Sequence, residues 1–551
     1  MLPYIDIPFV YAANALGAST DELKLISSFL ISYPLAAVLK RIPDRKPWQK
    51  NIFIIAVSVF YLVGLFDLWG GVRTLLISSV GAYAIASYVQ GPYMPWIGFV
   101  FLMGHMSVNH IHRQTVADPS RVDITGAQMV LVMKLTAFCW NVYDGTLPDS
   151  ELTDFQKERA IRELPDLLDY AGYVLFFPAL FAGPAFDFVD YRRYIETTMF
   201  AVPPGTDPAK APPTRKKRKI PRSGTPAAWK AAGGLAWIFA FLKFSGWYYP
   251  ALLLSDDYTK YGLLRRIWQL HMLGLTTRMK YYGVWFLTEG ACILSGIGYK
   301  GYDPKTGKAD WNRLQNVKPL GIELAQNTHA YLGNWNINTN HWLRNYMYLR
   351  VTPKGKKPGF RASLATFVTS AFWHGFYPGY YLSFVLASFL QSIAKNCRRL
   401  VRPFFMTADG KSSTPYKPYY DALTLLVTQL AFSYTVAPFI LLSLHDSLLV
   451  WARVYFYCVI GAAVCLAFLS SPGKAWVKTE LNKRNKPKLE RAESYDSLDG
   501  PTLGLPNDPG QEFDEIVAEV RAEIAARKRR GQSVSNIDLK KAVEEKLGRT
   551  L

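Results

Sequence analysis

The chain has 551 residues, of which 50% are hydrophobic, 15% aromatic and only 19% charged, against about 25% charged in an average soluble protein. Its formal charge is +21, from 63 Lys and Arg against 42 Asp and Glu, and its mean hydropathy is slightly positive although the last eighty or so residues are polar. Disorder, a collagen-like chain and a disulfide scaffold are excluded.

Apolar windows approaching the length that crosses a bilayer, about 17–25 residues, recur along the chain. In order they lie near residues 51–66, 72–89, 96–108, 167–181, 233–254, 284–297, 364–393 (two spans), 422–442 and 448–469. Shorter pieces at 8–16 and at 23–39, the second interrupted by Pro34, precede them. The pattern predicts an all-α, polytopic membrane protein with about 11 spans, because open sheets leave edge groups unsatisfied in lipid. Residues 124–143, in which Gln128, Lys134 and Thr136 alternate with Met129, Val132 and Met133, are too polar for a clean span and read as a partly buried helix.

Residues 1–470 therefore form the membrane domain, with a basic, Pro-rich and mobile cytosolic loop at 201–226. A charged tail follows at 471–551, exposed-helical near 511–530 and disordered near 494–509. Basic clusters flank the apolar windows: Lys40, Arg41, Arg45, Lys46 and Lys50; Arg215 to Arg222; Lys354, Lys356, Lys357 and Arg361; Lys395, Arg398, Arg399 and Arg402; and Lys483, Arg484, Lys486 and Lys488. By the positive-inside rule these loops and the tail face the cytosol, which argues for a topology signal rather than nucleic-acid binding.

The five cysteines include no CxxC pair, so neither a disulfide framework nor a zinc site is expected. His105, His110 and His112 stand without a nearby carboxylate, and only the first and third share a helical face, which favours a structural role. Gly296, Gly298 and Gly301 match the dinucleotide spacing but end an apolar helical window rather than link a strand to a helix. HExxH, P-loop and GxSxG patterns are absent from the sequence, which removes zinc proteolysis, NTP hydrolysis and the commonest lipase chemistry.

Two segments carry chemistry. Residues 331–351 read YLGNWNINTNHWLRNYMYLRV, with five amides at Asn334, Asn336, Asn338, Asn340 and Asn345 and ring anchors at Trp335, Trp342 and Tyr346. Each unsatisfied amide beside an apolar span costs about 1–3 kcal/mol, so these side chains require partners or a ligand. Residues 367–381 read FVTSAFWHGFYPGYY, where His374 is, tyrosines aside, the only ionisable side chain. An ionisable group at membrane depth is a functional candidate by default, and a neutral imidazole is the form a general base requires. Gly375, Pro378 and Gly379 permit a broken helix and a cavity wall.

Trp335-Asn336, then Trp342-Leu343 and Tyr346, followed 38 residues after Asn336 by Trp373-His374-Gly375, resemble the membrane-bound O-acyltransferase (MBOAT) family. Residues 129–145 and 172–194 are similar to its lysophospholipid acyltransferase branch, of the broad-specificity fungal type. The resemblance covers roughly residues 50–470. It implies a helical bundle around a tunnel, an enzyme with His374 as base and Asn336 as its partner, and Asn338 as a rival for that second role. It also implies acyl-CoA as co-substrate with no tightly bound cofactor or metal, and a lysophospholipid as acceptor. The endoplasmic reticulum membrane is the implied location. The CoA moiety would meet Asn338, Trp342, Arg344, Tyr346, Arg350, Lys354, Lys357 and Arg361. The alternatives are another acceptor, a sterol, diacylglycerol or protein hydroxyl, and a transporter that uses His374 in a proton or solute path.

Overall fold

The computed structural model describes residues 4–16, 19–116, 121–202, 214, 218–303, 306–352, 360–407 and 412–484. The tail beyond 484, most of the 201–226 loop, and Lys354 and Lys357 lie outside the described residues; so does the side chain of Arg361. The architecture is helical. Its described β-structure is one two-residue antiparallel pair, Gly301–Tyr302 with Ala309–Asp310, and isolated bridges.

Three helices among the described residues are long and apolar enough to cross a membrane unaided: Thr20–Leu39, Pro47–Leu65 and Lys417–Leu441. The pair Leu444–Arg453 and Tyr457–Ser470, bent by 81°, adds a fourth when taken as one broken span. Length and composition thus do not reach eleven, because several windows are shorter or carry polar groups. The window at 167–181 is broken into the helix Leu167–Val174 and a 3-10 turn, Phe177–Ala179, where Pro178 ends regular hydrogen bonding. The window at 284–297 is the end of a 33-residue helix, Leu263–Ser295, that also holds Arg278, Lys280 and Glu289.

The helix Thr125–Gly145 is more central than its polarity implies, with 16 of its 21 residues buried. Several of its polar side chains find partners inside. Lys134 Nζ donates to Tyr173 O at 2.5 Å and lies over the Tyr173 ring. Tyrosines supply much of the remaining core, several placing an apolar ring inside and a hydroxyl on a partner. Tyr191 donates to Asn51 at 2.6 Å, Tyr194 to Ser295 O at 3.2 Å and Tyr170 to Ser79 O at 2.8 Å.

The long helix Leu263–Ser295 packs against Gly224–Ser245 with almost no separation. A Cβ at Gly234 would stand 3.1 Å from Gly283 O, and one at Gly283 would stand 3.1 Å from Gly234 O. Only residues without side chains allow that approach. The Gly296, Gly298 and Gly301 pattern sits at the end of this helix, where Gly296 takes φ +115° as the C-cap. This is helix termination, with no strand before it. At the described end of the basic loop, Arg218 donates to Arg41 O and Ile42 O, and Lys219 N to Asp44. Ile220 and Pro221 are buried, so residues 218–221 pack against the body of the protein.

Candidate active site

The helix Phe360–His374 ends at the histidine, and the next, Pro378–Leu400, begins with proline in its first turn. The turn between them needs Gly375. Its φ is +116°, and a Cβ there would also stand 3.1 Å from His110 Nδ1. His110 and Trp373 brace this turn. The Trp373 indole donates to Met129 O at 3.0 Å, and His110 Nε2 lies 3.1 Å from Trp373 O.

His374 Nδ1 lies 2.7 Å from Ser370 O. A carbonyl only accepts, so the ring proton resides on Nδ1 and Nε2 keeps its lone pair. Aromatic rings enclose the imidazole: Trp373, Phe384, Phe439 and Tyr380, at centroid distances of 4.6, 5.0, 5.1 and 5.9 Å.

Opposite stands the amide-rich segment, as a short helix, Ile337–Leu343, continued by a π-turn, Arg344–Tyr348. Asn336 caps it in the left-handed region, φ +45° and ψ +54°, which Asn tolerates better than other side chains. Its Oδ1 accepts from Thr339 Oγ1 at 2.8 Å, and among the described residues its Nδ2 has no acceptor. Asn338 is used differently. Its backbone N donates to Asn316 Oδ1 at 3.1 Å, and its Nδ2 to the same oxygen at 3.0 Å and to Leu314 O at 3.4 Å. Asn316 O also accepts from Ile337 N at 2.9 Å, so one asparagine clamps the residues that follow Asn336. Asn340 Nδ2 donates to Leu332 O and Trp335 O, both at 2.9 Å, and Asn334 Nδ2 to Ala330 O at 2.7 Å. Much of the amide density is therefore internal scaffolding, while the cavity-lining Asn336 keeps its Nδ2 open.

His374 and Asn336 line one cavity of about 490 Å³, together with His110, Asn316, Asn338 and Tyr380. Its walls are largely aromatic and aliphatic. Arg113, Arg278 and Lys280 also line it, and no carboxylate does. Such a chamber suits an amphiphile with an anionic group.

The other residues expected at the site go elsewhere. Trp342 is buried, donates to Thr136 Oγ1 at 2.9 Å and stands outside the cavity lining. The Tyr346 hydroxyl lies 2.8 Å from Asp187 Oδ1 and 3.1 Å from Asn141 Oδ1. Burial, with the Asp190 carboxylate beside it, pushes Asp187 up to about 6, against the pull of Arg159. Arg350 grips Asp144 through two nitrogens, at 2.7 and 2.5 Å. These three side chains tie the amide-rich segment to the helix Thr125–Gly145 and its surroundings, and none of them lines the cavity. Arg344 is exposed at the end of the short helix.

The histidine trio separates. His105 Nδ1 pairs with Ser78 Oγ at 2.9 Å, His110 braces Trp373, and His112 is exposed. Among the described residues no three His, Cys, Asp or Glu converge on a metal position. The sequence reading missed His110, Asn316 and Arg278 as parts of the site. From the sequence His110 reads as a structural histidine rather than a metal ligand, with nothing to link it to His374, while Asn316 and Arg278 lie in segments without a distinctive pattern.

A model of the membrane-bound O-acyltransferase family matches residues 118–437, which include both Asn336 and His374. The chain is 44% identical over 490 residues to a lysophospholipid acyltransferase of Schizosaccharomyces pombe, covering 89% of this chain and 94% of that one. It is 42% identical over 502 residues to a lysophospholipid acyltransferase of Saccharomyces cerevisiae, covering 89% and 81%. A human membrane-bound glycerophospholipid O-acyltransferase 2 is 29% identical over 492 residues, covering 88% and 90%.

Proposed function

The chain belongs to the membrane-bound O-acyltransferase family, and from that premise we propose that it moves a fatty acyl group from acyl-CoA to the free sn-2 hydroxyl of a lysophospholipid. It is an O-acyltransferase of the lysophospholipid acyltransferase kind. The observation that carries the finer reading is the pairing, in one apolar cavity, of a histidine with a bare Nε2 and an asparagine with an open Nδ2.

A thioester is already activated, so the reaction needs a base and an aligned acceptor rather than a covalent enzyme nucleophile. His374 Nε2 takes the proton of the glycerol hydroxyl as its oxygen attacks the thioester carbonyl carbon. The oxygen–acyl bond forms, the carbon–sulfur bond breaks, and CoA leaves as the thiol with the proton that the His374 imidazolium returns. Asn336 Nδ2 donates to the carbonyl oxygen as it gains negative charge, a contribution of about 3 kcal/mol for a typical donor of this kind. General-base catalysis supplies about 100- to 10,000-fold, and holding both amphiphiles in one chamber supplies much of the remainder.

Asn338 is set aside as the catalytic amide because both its side-chain donors and its backbone N–H are taken. Exposed Arg344 is a candidate for the CoA phosphates, together with Lys354, Lys357 and Arg361 in the adjoining basic stretch. The basic clusters support a multi-pass topology with the C-terminal tail in the cytosol, and the family supports the endoplasmic reticulum membrane.

The test is transfer of labelled oleoyl from oleoyl-CoA to lysophosphatidylcholine by detergent-purified protein, wild type beside His374→Ala. Product from the wild type alone supports the reaction and the base. Equal product from both reduces His374 to a core histidine. No product with any lysophospholipid turns the search to other acceptors.

A further inference from the structure

Buried polar groups in folded proteins find hydrogen-bond partners, and each exception calls for an explanation. Four of the exceptions here line the reaction cavity: Arg278 Nη1, the Tyr331 hydroxyl, Ser370 Oγ and Ser383 Oγ. All four residues are more than nine-tenths buried, with Arg278 2% exposed. Ser370 stands one helical turn before His374, at the reacting end. The other three come from separate elements: Arg278 from Leu263–Ser295, Tyr331 from Thr328–Gly333 and Ser383 from Pro378–Leu400.

Arg278 is held in a fixed orientation. Its Nε and Nη2 donate to the two oxygens of Glu323 at 2.8 and 2.7 Å, and Glu323 accepts from the Tyr282 hydroxyl at 2.6 Å. Glu323 itself stands outside the cavity lining. The guanidinium lies 5.8 Å from the Tyr331 ring, which stacks on Phe432 at 4.0 Å. The Tyr331 hydroxyl oxygen faces the Arg278 guanidinium, which leaves the hydroxyl proton to donate into the cavity beside the free N–H groups of Arg278 Nη1. Ser383 adds a third donor beside Phe384, the ring that packs on His374.

Three open donors, one of them cationic, in a chamber lined without a carboxylate define a seat for a compact anion with several acceptor oxygens. A lysophospholipid of any headgroup carries such an anion, its phosphate, three bonds from the carbon that bears the free hydroxyl. We propose that Arg278, Tyr331 and Ser383 form the phosphate seat of the acceptor and thereby aim its hydroxyl at His374. This inference rests on the lysophospholipid reading above. It also assigns a role to a cation deep in the long helix that the transfer chemistry does not use directly.

The test compares Tyr331→Phe, Ser383→Ala and Arg278→Lys with wild type, using lysophosphatidylcholine, lysophosphatidic acid and 1-oleoylglycerol as acceptors and oleoyl-CoA as donor. The glycerol ester has the same hydroxyl and no phosphate. Loss of one hydrogen bond to a charged group raises the KM for both lysophospholipids about 10- to 100-fold, while the KM for oleoyl-CoA and any rate with 1-oleoylglycerol stay unchanged. Tyr331→Phe keeps the stack on Phe432 and Ser383→Ala removes one atom, so a misfolded Arg278→Lys leaves the test intact. Unchanged KM for the lysophospholipids in both conservative variants overturns the seat, as does an equal loss with all acceptors. A wild type that acylates no lysophospholipid instead overturns the function on which the seat rests.

Discussion

His110 reaches across 263 positions of sequence to Trp373, its Nε2 lying 3.1 Å from the carbonyl oxygen of the residue just before His374. The carbonyl must accept, so His110 is the donor. Its ring thereby sets where the helix ends and where the next imidazole points.

His110→Ala is expected to lower kcat about tenfold to a hundredfold, from the roughly 1–3 kcal/mol lost when one member of a buried hydrogen bond is removed. His110→Gln, which keeps an N–H near the same place, restores most of the rate. The KM for oleoyl-CoA stays near wild type in both. An Ala variant with normal kcat would refute the positioning role.

Asn336 and Asn338 separate by readout. Asn336→Ala leaves thermal unfolding nearly unchanged and drops kcat about 100- to 1,000-fold, as for loss of one oxyanion donor. Asn338→Ala removes contacts to Asn316 and Leu314 and lowers the unfolding temperature, with a smaller effect on turnover. Reversed behaviour of the two would exchange their roles.

Arg350 and Asp144 form a buried pair whose side chains are 9% and 0% exposed. Arg350→Gln leaves the Asp144 carboxylate uncompensated and destabilises the fold by about 3–5 kcal/mol. Thermal unfolding in detergent reads the loss, and the KM for oleoyl-CoA in the folded fraction stays unchanged. A rise in that KM without loss of stability would return Arg350 to the CoA site.

Asp187 gives the fold a pH dependence. Its folded value of about 6 lies above the ordinary carboxylate value near 4, so the folded state holds the proton more tightly than the unfolded one. The contribution to stability is complete below about pH 4 and is lost as pH rises through about 6. Unfolding temperatures of wild type should fall relative to Asp187→Asn across that window. Parallel curves from pH 4 to 7 would contradict it.

The candidate site was legible where residues were out of keeping with their surroundings. An amide-rich stretch between apolar windows drew attention to Asn336, and a single imidazole in an apolar run drew attention to His374. Composition could not separate the neighbours of Asn336, since Trp342, Tyr346 and Arg350 sit in the same stretch yet turn toward Thr136, Asp187 and Asp144. The first two-thirds of the helix Leu263–Ser295 stayed hidden for a related reason. Arg278 and His271 make its sequence look too polar, and their partners Glu323 and Ser433 are 45 and 162 residues away. Pairing across such separations satisfies charges inside the bundle without leaving a mark on local hydropathy.

The left-handed backbone of Asn336 carries a consequence for timing. A non-glycine residue held at φ +45° stores up to about 1–3 kcal/mol of local strain, borne by the Asn316 clamp and the Thr339 contact. That ordering is completed while the protein folds, before any thioester arrives. In the proposed transfer the amide would therefore meet its substrate already aimed, with no contribution to the barrier for turning it.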